Sequence, residues 1–185
     1  LANVRGNSFI TINQWLNGQL EDGYKRFISQ MRPPVARVLS QGEGWSWYPL
    51  EYLTEVYESI AEHLGGGNGK VLEDLGEALA DADVGGAPKT RLALLPMPRV
   101  AARIPHLWSR FKDCGEFKVL SVDEKAKHAV LVLFDYEGGK LHCYVTRSWL
   151  EKICELLSGV KVKVKEKSCR WKDGGDGCYW EVTWE

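Results

Sequence analysis

The sequence predicts an α+β fold, a mainly helical front followed by a mixed back half. Three observations carry this. Apolar residues recur at three- and four-residue spacing up to about residue 112, and they alternate with polar ones from about residue 116. One further helical stretch then interrupts the alternating part. At 185 residues, 44% hydrophobic and 26% charged, the chain suits one domain with a full core. Residues 1–185 are therefore read as a single domain, with a helical half over 1–113 and a β-β-α-β-β half over 114–185.

In residues 9–31, Ile12, Trp15, Leu16, Leu20, Phe27, Ile28 and Met31 form an apolar face, which predicts one amphipathic helix. Pro33-Pro34 stops it and opens a short helix through Leu39. Gly42-Glu43-Gly44 is a loop, and Pro49 suits the first turn of a helix running to about Leu64. The glycines of Gly65-Gly66-Gly67-Asn68-Gly69 end that helix, and a further helix covers 70–81. Gly85-Gly86-Ala87-Pro88 breaks the pattern. Residues 89–112 look helical but interrupted, because Pro96, Pro98 and Pro105 oppose one straight helix. Alternation over 116–122 and 128–135 predicts a hairpin around residues 123–127. A helix over 142–158 and a final hairpin close the chain.

Charge and composition exclude several classes. Lys plus Arg total 24 against 25 Asp plus Glu, a net charge of −1, so no nucleic-acid partner is expected. No apolar run has the length of a membrane span, and no basic-then-apolar signal segment opens the sequence. Five cysteines without secretory features favour a reducing cytoplasm, with metal-bound or free thiols. No Gly-x-Ser-x-Gly elbow, phosphate loop or dinucleotide fingerprint occurs, and no enzymatic activity is expected.

The last third holds the chemistry. Cys143, Glu166, Cys169 and Cys178 are spaced as Cys-x22-Glu-x2-Cys-x8-Cys. In the strand Val160 to Lys167 the valines hold the even positions and the lysines the odd ones, so the two types face opposite sides. Glu166 shares the valine parity. A carboxylate on the core side needs a partner, because an unpaired buried charge is costly. Cys178 shares its parity with Trp180, Val182 and Trp184. Cys169 and Cys178 flank the turn Arg170-Trp171-Lys172-Asp173-Gly174-Gly175-Asp176-Gly177, whose glycines and aspartates suit a hairpin that brings the two thiols together. Three sulfurs and one carboxylate oxygen would make a closed tetrahedral zinc site, structural rather than catalytic. The competing reading is that the cysteines simply fill the core. Cys154 lies eleven residues after Cys143, on the same helix face, and is an alternative ligand. The lysines at 161, 163, 165 and 167 read as a solvated edge strand protected from aggregation.

These residues resemble the C-terminal part of a vinyl-4-reductase-type domain, a small-molecule-binding module, over about residues 100–185. The hallmark is Cys169, then glycines, then Cys178-Tyr179-Trp180-Glu181-Val182. In the aromatic-responsive activators of that group, a cysteine early in the helix, a strand glutamate and two hairpin cysteines bind a structural zinc. Cys143, Glu166, Cys169 and Cys178 fall in matching places, with one extra residue in the turn. Arg5-Gly6 and Trp47-Tyr48-Pro49 resemble an uncharacterised bacterial group with a helical front. That core is itself similar to haem-nitric-oxide sensors and to Golgi-tethering subunits.

The resemblance implies a helical N-terminal half packed on a β-β-α-β-β unit with an antiparallel sheet. It implies a sensory domain holding a small apolar or aromatic molecule, with Trp108, Phe111, Leu133 and Trp149 as pocket residues. A protein partner and a homodimer are further expectations. The alternatives it raises are a scaffolding subunit with a filled pocket, a haem-based gas sensor and a subunit of a tetrapyrrole vinyl reductase. Haem is not expected. His106 lies roughly where the gas sensors place their iron-binding histidine, but Tyr144-Val145-Thr146-Arg147-Ser148 does not reproduce their Tyr-x-Ser-x-Arg signature.

Overall fold

In the computed structural model, which describes residues 2–85 and 94–185, the chain enters through a short strand, β1 (Asn3–Arg5), and turns directly into α1 (Gly6–Leu20). No side chain caps α1. Its first N–H groups are satisfied by the loop before the next strand, Gly6 N bonding Ser46 O at 2.9 Å and Asn7 N bonding Gly44 O at 3.1 Å. That approach demands a glycine, since a Cβ on Gly6 would lie 1.9 Å from the Glu43 carbonyl oxygen. Phe9, Ile12 and Leu16 point to the core at three- and four-residue spacing.

Next come α2 (Tyr24–Ile28), α3 (Pro33–Gln41), β2 (Trp47–Pro49), α4 (Leu50–Gly65) and α5 (Leu72–Val84). β2 pairs antiparallel with β1, setting Arg5 opposite Trp47. α4 buries Leu50, Leu53, Val56, Tyr57 and Ile60, and Gly66 ends it in the left-handed region at φ 57°. α6 (Met97–Phe111) then leads to the back half.

That half is β3 (Glu116–Asp123), β4 (His128–Phe134), α7 (Lys140–Ser158), β5 (Val162–Ser168), the single-turn α8 (Arg170–Asp173) and β6 (Gly177–Trp184). The four strands form one antiparallel sheet in the order β3-β4-β6-β5. Its apolar face, with Phe117, Leu131, Leu133, Trp180, Val182 and Val164 all buried, meets α7, which buries Leu150, Ile153 and Leu157. α5 closes on the other side of α7. The two helices approach closely because Gly76 carries no side chain; a Cβ there would lie 2.0 Å from Ser148 Oγ and 2.5 Å from Val145 O. The helical half therefore packs on the β-β-α-β-β unit through α7.

Several boundaries differ from the sequence expectation. The expected helix over 9–31 is two, because Glu21 takes φ 44° at the end of α1 and a 3₁₀ turn (Glu21–Gly23) intervenes. The strands β1 and β2 were not expected; three residues are too few to show a period. α6 is continuous where an interruption was expected. Pro96 precedes the helix and Pro98 sits in its first turn, where a missing N–H costs nothing. Pro105 alone breaks the ladder, at a cost of about 3 kcal/mol. Six buried side chains, from Met97 to Phe111, each worth roughly 1.5–3 kcal/mol if large, offset it. The expected break at Gly85-Gly86-Ala87-Pro88 lies outside the described residues except for Gly85, which follows α5 at φ 60°, and residues 89–93 lie outside them too.

Candidate metal centre and the aromatic interior beside it

Three of the four expected ligands converge. Cys143 lies in the first turn of α7, Cys169 directly after β5 and Cys178 at the start of β6. The Sγ separations are 3.3 Å for Cys143–Cys169, 3.5 Å for Cys143–Cys178 and 3.9 Å for Cys169–Cys178. All three are buried, at 4%, 0% and 4% exposure. Zinc–sulfur bonds of about 2.3 Å in a tetrahedron set sulfurs about 3.8 Å apart, so the spacing fits a metal with little rearrangement.

A β-bulge makes this possible. Strict alternation along β5 would put Cys169 on the outer face with Lys163, Lys165 and Lys167. The register shifts between Glu166, opposite Trp180, and Ser168, opposite Tyr179, and the extra residue turns Cys169 inward. The segment after it is the hairpin connection expected from its glycines, joining β5 to its antiparallel neighbour β6, and it carries one helical turn. This is α8, closed by Asp173 Oδ2 accepting from Cys169 N at 2.7 Å and by Gly174 at φ 74°. That turn aims backbone N–H groups at sulfur, Trp171 donating to Cys169 and Arg170 to Cys178.

The thiols share charge unequally. The hydrogen bond from Cys143, helped by the Arg170 N–H, lowers Cys178 to about 7. The same hydrogen bond to Cys178, together with burial, pushes Cys143 far above its ordinary value, and burial raises Cys169. Without a cation the cluster holds one negative charge readily and resists three. A divalent metal removes that limit, because thiolate is its ligand.

Glu166 is placed differently. It faces the side of Val162 and Val164, but its side chain is 19% exposed and its carboxylate accepts from Lys172 Nζ at 3.0 Å. It lies outside the thiol group, yet close enough that its charge adds to the rise of Cys169 and opposes the lowering of Cys178. Cys154, the alternative ligand, is buried further along α7 and apart from the cluster, its thiol pushed up to about 12 by burial.

One residue before Cys143, His142 faces a second site. Its ring is 2% exposed, with Nε2 3.0 Å from Thr54 Oγ1 and Nδ1 2.8 Å from Tyr136 Oη. Burial lowers it to about 3, so it is neutral here. The Tyr57 ring lies tilted against it with centroids 4.6 Å apart, and Trp108 lies edge-on to both Tyr136 and Trp149, at 5.0 and 6.2 Å. Trp149 Nε1 donates to Asp83 Oδ2 at 2.8 Å, and burial raises Asp83 to about 6. Lys112 Nζ sits over the Trp108 ring at 4.1 Å, its pKa lowered by burial against the pull of Asp83. The space left among these side chains is about 20 Å³, roughly one water molecule.

Of the expected pocket residues, Trp108 and Trp149 line this interior. Leu133 lies in β4 opposite Cys178, and Phe111 lines an outer groove instead. His106 is exposed. The polar members Tyr57, Asp83, Lys112, Tyr136 and His142 were missed, since they come from separate elements and share no spacing that a sequence displays.

Fold and site together define an α+β domain with a thiol cluster at one end of its central helix and a polar-aromatic core at its middle. The fold is shared with solved H-NOX proteins and with the sensory domain of a transcription activator. A variant of the unliganded Fe(II) H-NOX protein from K. algicida matches with a TM-score of 0.74 at 10% identity, over 98% of this chain and 96% of that one. The Fe(II)NO H-NOX protein from S. oneidensis matches at 0.70 and 12%, over 98% and 99%. The phenol-responsive sensory domain of the transcription activator PoxR, with phenol, matches at 0.51 and 14%, over 89% of each. No family model and no curated protein sequence matches the chain. Among the described residues, no helix is long and apolar enough to cross a membrane.

Proposed function

We propose that the chain is a non-enzymatic, cytoplasmic sensory domain of vinyl-4-reductase-like type. It takes a small apolar or aromatic molecule among Trp108, Tyr136, His142 and Trp149, and it passes the signal to a protein partner, as a homodimer. The observation that carries this reading is the concentration of polar groups in an aromatic core, in a fold whose solved examples include H-NOX proteins and a phenol-bound domain. A neutral histidine, two tyrosines, a lysine and an aspartate around one set of rings supply the few convergent polar groups that orient a ligand in an apolar site. With room for about one water, binding in this reading requires a ring to move.

In the same reading Cys143, Cys169 and Cys178 hold a structural zinc, with Glu166 completing the set once Lys172 releases it. The metal neutralises the thiolates and ties β5, α8 and β6 to the start of α7. Because His142 and Cys143 are neighbours, the zinc also fixes the histidine's position in the binding core.

Haem fits poorly among these residues. The interior has about 20 Å³ of free space, both His142 nitrogens are engaged, and His106 is exposed. The small interior does favour one second reading, an interaction subunit whose pocket is permanently filled by its own side chains. Titration with phenol and indole, followed by Trp fluorescence and thermal shift, separates the two. Saturable binding that is lost in His142→Phe supports the sensor. No binding by either compound, in wild type or in the opened variant Trp149→Ala, supports the interaction subunit.

A further inference from the structure

A groove with a different chemistry lies between the end of α6, the start of α1 and the loop before β2. It measures about 600 Å³ and is lined by Arg5, Asn7, Ile10, Trp45, Arg110 and Phe111. Trp45 is 73% exposed, more than any other tryptophan described, and Ile10 and Trp47 are about 40% exposed. Large apolar side chains grouped in this way on a surface mark a contact site more often than a solvated face.

Two guanidinium groups border the apolar floor. Arg5 donates to the Trp45 carbonyl oxygen and lies 4.4 Å from the Trp47 ring centroid, and Arg110 lies 5.5 Å from that of Phe111. Among the described residues neither forms an ion pair, and none of the lining residues is acidic. The pairing β1–β2 and the close approach at Gly6 hold Arg5, Trp45 and Trp47 in place before any partner arrives. Preformed aromatic and arginine groups are the usual energetic anchors of protein interfaces.

We infer that this groove docks an acidic segment of a partner protein, with an apolar side chain seated on Trp45 and Ile10 and carboxylates on Arg5 and Arg110. Charge complementarity selects the occupant: two guanidinium groups that form no ion pair among the described residues, in a groove with no lining carboxylate, favour an anion over a neutral or basic chain. Nucleic acid is the weaker fit, since two guanidinium groups neutralise only about two phosphates, whereas such binding relies on many. The inference does not rest on the sensory reading.

The test uses two peptides, one alternating Glu with Leu and its Gln-for-Glu counterpart, titrated into the full chain at low and moderate salt. Binding is followed by anisotropy and by the indole N–H resonances of Trp45 and Trp47. The expected result is saturable binding of the acidic peptide alone, with both resonances shifting. Arg110→Glu and Trp45→Ala, both at exposed positions, should each weaken it tenfold or more while leaving circular dichroism and Tm unchanged. Resonance mapping on the wild-type chain decides the matter if either variant fails to fold. Absence of binding, binding indifferent to both variants, tighter binding of oligothymidylate at the same resonances, or self-association abolished by Trp45→Ala would each overturn the inference.

Discussion

His142 and Cys143 are consecutive residues on α7, yet they belong to two regions built on opposite plans. The thiol cluster is pre-assembled: three identical donors meet within 3.9 Å and two backbone N–H groups already point at them. The aromatic core is assembled but closed, its members filling almost all of its own volume. The first region sets three donors at fixed spacing. The second gathers polar groups around packed rings and leaves about 20 Å³ among them. A metal site needs fixed donors, whereas a sensor needs a site whose occupation changes the protein.

The largest effect expected comes from the cluster. Cys178→Ser or Cys143→Ser should abolish metal binding and lower Tm by about 10 °C or more, since even a fraction of the roughly 10–16 kcal/mol that zinc contributes to small metal domains exceeds any single packing contact. Calorimetry with and without a chelator checks this. Cys154→Ser should leave the metal content unchanged.

Next is the core. Trp149→Ala should destabilise by about 3–5 kcal/mol and leave a cavity. Added indole or phenol should restore Tm in the variant more than in wild type, as differential scanning fluorimetry would show. Failure of every aromatic to do so would make this core a filled one.

Gly76→Ala tests the seam that holds both regions on α7. The added methyl meets Ser148 Oγ and Val145 O, so a loss of about 1–3 kcal/mol in chemical denaturation is expected.

Much of this architecture was legible in the sequence. The change from helical to alternating period placed β3, β4, α7, β5 and β6 within about two residues, because each strand buries one face and α7 is long. Three of the expected ligands meet because parity fixed Cys178 and helix position fixed Cys143. Parity alone would have sent Cys169 outward; the bulge after Glu166 is a backbone event with no composition of its own. Glu166 shows the complementary limit, since parity gives the face of a residue but not its neighbour, and Lys172 from α8 reaches it first. The continuous α6 was hidden by counting its prolines as equal, although only Pro105 removes a helix hydrogen bond. The polar core was invisible because Thr54, Asp83, Lys112, Tyr136 and His142 come together only through tertiary packing.

A smaller effect separates the regions by pH. Burial holds Asp83 at about 6 against 3.8 when unfolded, so the folded state binds its proton more tightly. Its contribution to stability is complete below about pH 4 and is lost as pH rises through about 6. Asp83→Asn should flatten the wild-type stability profile in that window without changing metal content. The Trp149 indole N–H resonance, bonded to this carboxylate, should titrate with the same midpoint.

The smallest effect distinguishes two roles for Glu166. As a partner of half-exposed Lys172 alone it is worth under about 1 kcal/mol, so Glu166→Gln should barely change Tm. As the fourth ligand its loss should weaken zinc binding as well, which competition with a chromophoric chelator reads directly.

The most direct test of the account is elemental analysis with zinc-edge X-ray absorption on protein purified without affinity metals. The account predicts about one zinc per chain with a sulfur-dominated shell near 2.3 Å. Metal-free protein whose Tm is unchanged by added zinc or by Cys178→Ser would contradict it, and would leave Cys143, Cys169 and Cys178 as core packing alone.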